Sequence, residues 1–164
     1  MNTYIGSHAG RRRGFTLVEL LIVVIMLGVP AAIVIPQFST SNEDARRQAF
    51  VSQMRSYVTA AEYYRFKTGQ YLADSGSGEC PAGWEGYIDV DRWTAGTPIG
   101  GVWDVEQDSY GIRSGFGVHF WGNNGTQDDA YMQKIDAVFD NGDLCTGQFR
   151  KIAGDRFYYV LADN

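Results

Sequence analysis

Apolar and polar positions divide the chain into three regimes. From Phe15 to Ile35 the residues are almost continuously apolar, interrupted by one carboxylate at Glu19. From Gln37 onward the apolar positions recur at spacings of three and four, with Val51, Met54, Val58 and Ala61 on one stripe, which predicts a helix with one buried face. Glu43 and Arg47 form an i,i+4 pair on that helix, and Gly69 supplies its stop. Beyond the loop "DSGSGECPAG" at 74–83, strand-like runs follow at 86–90, 101–105, 109–121, 148–152 and 156–161, the last two joined by a turn at "AGD". Tyr131, Ile135, Val138 and Phe139 fall at helical spacing and predict a short helix at about 128–139. The expected fold is α+β: one long helix from about Phe15 to Lys67, its second half packed on an antiparallel sheet, because neither could cover its apolar face alone.

The apolar segment is long enough to cross a bilayer, at roughly 1.5 Å per helical residue against about 30 Å of hydrocarbon. Arg11, Arg12 and Arg13 precede it, which places the N-terminus on the cytoplasmic side and the remainder outside. A cleaved secretory signal would end near Pro30 to Ala32, yet apolar residues continue past that point. A twin-arginine export signal fits Arg12, Arg13, Phe15 and Leu17 but leaves Glu19 without a role. A plain anchor does no better, since a carboxylate in hydrocarbon is costly and needs a partner; none is evident within the segment. Gly28, Pro30 and Pro36 predict a kinked or locally unwound helix between about Met26 and Gln37, because an interior proline costs about 3 kcal/mol.

Composition narrows the classes. A formal charge of −5, with the one dense basic patch at Arg11 to Arg13, excludes general affinity for nucleic acid. Ten tyrosines and twenty glycines suit a strand-and-turn domain. Cys80 and Cys145 are the two cysteines and are expected to form a disulfide outside the cytosol rather than stay two free buried thiols, closing a loop of roughly 66 residues worth roughly 4 kcal/mol. His8 and His119 have no nucleophile at motif spacing, His119 reads as a strand residue, and no hydrolase elbow or phosphate loop is present, so an enzyme is not expected. Trp84, Trp93, Trp103 and Trp121 are candidates for either core positions or an aromatic ligand patch.

Gly14 to Glu19, "GFTLVE", followed by "LLIVVIMLGVPAAIVIPQF", resembles the N-terminus of the type IV pilin family, which includes the type II secretion pseudopilins. The resemblance implies a leader over 1–14, cleavage by a prepilin peptidase between Gly14 and Phe15, methylation of Phe15, a transmembrane and polymerisation helix over 15–36, an amphipathic helix over 37–68 and a head over 69–164. It also implies that Glu19 pairs with the Phe15 amine of a neighbouring subunit, two charges that offset one another in lipid. Pro30 departs from the family, whose members usually carry an aliphatic residue there. "AAEYYRFKTGQY" and "IDAVFDNGDLCTGQF" resemble further pseudopilin stretches. Some secretion pseudopilins hold calcium in a C-terminal loop, which makes Asp136, Asp140 and Asp143 candidate ligands, although a solvated helix end explains these acids as simply; no other cofactor is implied. The implied partners are other pilins or pseudopilins, the prepilin peptidase, an inner-membrane assembly platform and the lipid bilayer. The implied location is the bacterial inner membrane, single-pass with a periplasmic head, and then a filament. The alternative is an exported monomeric domain that binds a ligand through its aromatic residues.

Overall fold

The computed structural model describes residues 14–122 and 127–164, without the side chains of residues 28–40. Helix α1 spans Leu17–Thr68, followed by α2 (Val90–Thr94), β1 (Val102–Ser109), β2 (Ile112–His119), α3 (Asp129–Phe139), β3 (Phe149–Ala153) and β4 (Arg156–Asp163). The chain divides into two compact units, Met1–Asn42 and Glu43–Asn164. In the first, α1 continues as helix through Gly28, Pro30 and Pro36, so of the kinked or locally unwound stretch expected at about Met26 to Gln37 the unwinding is absent. A proline removes its own N–H bond and leaves the other i→i−4 bonds able to carry the helix across it. Among the described residues no helix is long and apolar enough to cross a membrane.

The second unit is an antiparallel four-stranded sheet, ordered β1-β2-β4-β3, covered by the later part of α1. Val51, Met54 and Ala61 are buried as their spacing predicts, and Phe50 and Tyr57 join them. Phe50 stacks on Trp103 at 5.2 Å, while Tyr57 meets Trp84, Trp93 and Trp103 at 5.8, 5.0 and 4.9 Å. Three of the four tryptophans are therefore core residues at 0 % exposure, and Trp121 alone, 63 % exposed, lies on the surface. Helix α1 ends where Gly69, at φ +72°, donates its N–H to the Arg65 carbonyl at 2.8 Å.

Several local expectations change. Residues 86–90 form no strand; they lead into α2, whose N-cap Asp89 accepts from the Arg92 N–H at 3.1 Å. The run 109–121 is split by a two-residue turn at Tyr110 and Gly111, both at positive φ, that joins β1 to β2. Arg47 pairs with Asp44 at 2.8 Å, three residues away, and makes no ion pair with Glu43. Cys80 and Cys145 are free thiols, not a disulfide. Cys80 packs against the core with its Sγ 3.7 Å from the Pro81 carbonyl, whereas Cys145 is exposed on the α3–β3 loop.

The sheet's other face carries charge. Asp104 on β1, Gly117 on β2 and Tyr158 on β4 stand in register, so the missing side chain at 117 opens a lane across the middle strand. Along it the Tyr158 hydroxyl donates to Asp104 Oδ2 at 2.5 Å, and Arg156 Nη1 donates to Asp104 at 2.7 Å and to Glu106. A Cβ at Gly117 would lie 2.1 Å from the Phe157 carbonyl oxygen, so no larger residue fits this close strand approach.

Candidate processing and assembly site

Gly14, Phe15 and Thr16 precede α1, and Thr16 is its N-cap. Its hydroxyl accepts from the Glu19 N–H at 3.3 Å, while Glu19 Oε2 accepts from the Thr16 N–H and hydroxyl at 2.8 Å each. This is a reciprocal capping box, formed because a Thr at the cap and a Glu three residues on satisfy each other's orphan donors. Glu19 therefore has a partner inside the segment, contrary to expectation. The signal, Thr-x-x-Glu ahead of an apolar run, was present in the sequence. Oε2 takes both Thr16 donors, and Oε1 accepts nothing among the described residues. Around this carboxylate Phe15, Leu17 and Val18 are exposed at 77, 86 and 64 %, so the apolar surface has no cover among the described residues.

The remaining candidate residues lie in the second unit. Asp136 is fully buried, neither of its carboxylate oxygens meets a donor, and burial beside the Asp140 carboxylate pushes its pKa up to about 7. Burial opposes ionisation of Asp140 as well. Even so, hydrogen bonds from Asp136 and from the N–H groups of Gln148, Asn141 and Phe149 hold it below the usual carboxylate range. A protonated Asp136 donating to ionised Asp140 accounts for both directions. Asp143 accepts from the Cys145 N–H and the Thr146 hydroxyl at 3.1 Å each. With Asp140 and Asp143 engaged in tying the loop, the three acids do not converge, and among the described residues no group of three metal-binding side chains assembles. The calcium assignment to Asp136, Asp140 and Asp143 does not fit this geometry.

His119 is 5 % exposed. Its Nδ1 lies 2.8 Å from the Ser77 hydroxyl and 3.3 Å from Asp104, and its Nε2 lies 3.1 Å from Asp155. Sequence spacing did not bring these residues together, because Ser77 is 42 positions away. The order serine, histidine, aspartate is that of an acyl-transfer triad. The neighbouring N–H groups are spent, however: Gly78 donates to the Trp103 carbonyl and Glu79 to that of Gly76, so no oxyanion donors face Ser77 from those positions. The cluster pins the loop after α1 to the sheet. Beside it, burial raises the Glu106 pKa against the pull of Arg156, and burial next to Asp104 raises that of Tyr158 far above the phenol range.

Residues 10–35 match the family model of the prokaryotic N-terminal methylation motif. The chain is 39 % identical over 70 residues to the type II secretion system core protein G of Pectobacterium carotovorum subsp. carotovorum, covering 43 % of this chain and 44 % of that one. It is 36 % identical over 91 residues to the type IV major fimbrial protein FimA of Dichelobacter nodosus, 52 % of each chain. It is 28 % identical over 100 residues to the type II secretion system protein H of Klebsiella pneumoniae, 51 % of this chain and 56 % of that one. The chain thus spans about half the length of these curated relatives, and no solved structure matches it. The methylation motif, the capped Glu19 three residues beyond its N-cap, and relatives among both secretion and fimbrial proteins agree: in its N-terminal segment the chain is similar to the type IV pilins and type II secretion pseudopilins.

Proposed function

We propose that the chain is a structural subunit of a filament of the type IV pilus or type II secretion pseudopilus kind. The observation that carries this reading is the N-terminal methylation motif over residues 10–35. In this proposal residues 1–14 are the leader, cut by a prepilin peptidase between Gly14 and Phe15, and residues 15–36 sit in the inner membrane with the head on the periplasmic side. Arg11 to Arg13 hold the cleavage point at the cytoplasmic face. Cleavage leaves a cationic amine on Phe15. An incoming subunit presents that amine to Glu19 of its neighbour, where Oε1 stands ready while Oε2 stays bound to Thr16. The capping box fixes the carboxylate's direction, so the pairing sets the register between subunits. Gly28, Pro30 and Pro36 make the following stretch the easiest part of α1 to bend or open on assembly. The protein does no chemistry of its own; its partners are other pilin-like subunits, the peptidase, the assembly platform and the bilayer.

Mass analysis of the mature N-terminus tests the processing step: a methylated Phe15 is expected, and a start after about Ala32 would instead favour an exported monomer. Negative-stain imaging of cells tests the pairing. Glu19→Ala should abolish filaments while stable monomer stays in the membrane, whereas Thr16→Val, which loosens the cap but keeps the carboxylate, should retain them. Filaments unchanged in Glu19→Ala would remove the pairing.

A further inference from the structure

Arg65 near the end of α1 and Arg113 on β2 both place their guanidinium groups over the ring of Tyr71, with Cζ 4.2 and 5.6 Å from its centroid. Arg47, Arg150, Lys151 and Arg156 each hold a carboxylate, yet among the described residues neither Arg65 nor Arg113 has an anionic partner. Two cations drawn to one ring repel each other, and an anion between them relieves that repulsion. Attraction to a ring face does not use up the N–H donors of a guanidinium, so both groups keep donors for carboxylates.

The pair lines an open cleft of about 850 Å³, together with the amides of Gln70 and Gln107. That is far more room than a single ion needs and within the range of clefts that hold extended ligands. Asp163, which also lines the cleft, is already held by Arg150, which leaves Asp108 as the opposing side-chain charge. We infer that this cleft binds an acidic polypeptide segment, two of whose carboxylates engage Arg65 and Arg113 while the glutamine amides meet its backbone. The site lies wholly within Glu43–Asn164 and stands whether or not the chain polymerises.

The test is fluorescence polarisation of a labelled hexa-aspartate peptide against the full chain in detergent, with hexa-asparagine and inorganic phosphate as separate arms. Salt-sensitive binding of the aspartate peptide alone is expected, weakened roughly tenfold by Arg65→Gln or Arg113→Gln, a loss the size of one charge-assisted contact. Asp108→Asn should tighten it several-fold, since asparagine tolerates the left-handed φ of 51° at that position. Thermal melts confirm that each variant stays folded. Equal binding of hexa-asparagine, affinity unchanged in Arg113→Gln, or phosphate binding without peptide binding would overturn the assignment.

Discussion

The segment from Gly14 to Leu27 and the unit from Glu43 to Asn164 use the same kinds of side chain in opposite ways. Phe15 and Leu17 are 77 and 86 % exposed, with a purely local cap at their side, while Phe50 and Met54, on the helix that Leu17 begins, are at 0 %. The first region states its role in linear order, each residue acting within four positions of its neighbour. The second becomes legible only when strands far apart in sequence are paired. Substitutions should therefore separate cleanly: those in the head change its stability and leave processing intact, and those in the segment do the reverse.

The largest separation is expected from Trp103→Ala, which removes the ring that Phe50 and Tyr57 pack on. About 3 to 5 kcal/mol of stability should be lost, read by thermal melting, while cleavage after Gly14 proceeds. A melt within two degrees of the wild type would break the comparison. Gly117→Ala should cost about 1 to 3 kcal/mol by forcing β2 from β4, again with unaltered processing.

Asp136 sharpens the comparison through pH. Its folded-state pKa, about 7, lies above the ordinary 3.8, so the fold favours the protonated form. The resulting stabilisation is complete below about pH 4 and is lost as pH rises through about 7. The head should melt lower at pH 8 than at pH 5, and Asp136→Asn, which supplies a permanent donor to Asp140, should flatten that slope and raise the melt at pH 8. A slope unchanged in the variant would show that other groups set it. The smallest effect is expected from Thr16→Val: the head's melting temperature should not move, and any shift beyond error would mean that the cap communicates with the core.

The elements legible from sequence were those with strong periodicity. The stripe at Val51, Met54 and Ala61 and the strands over 101–105, 148–152 and 156–161 are where the pattern placed them. Helix α2 was missed because its five residues are shorter than any helical period can reveal. The lane from Asp104 to Tyr158 was invisible because nothing local marks which glycine of β2 will stand between them. Pairing Cys80 with Cys145 relied on count alone, and count does not report that one thiol faces the core and the other the solvent. At the N-terminus the charge of Glu19 implies a charged partner elsewhere, while its partner within the chain is a neutral hydroxyl three residues before it. The Ser77, His119 and Asp155 cluster, like the lane across β2, required the fold.

The burial of Trp84, Trp93 and Trp103 around Tyr57 gives the protein a built-in optical label. Three indoles sit in a dry, ring-lined environment and one, Trp121, faces water, so a collisional quencher such as iodide should reach a single emitter in the native head and all four once it opens. The emission spectrum would then distinguish an intact head from an open one without any added dye.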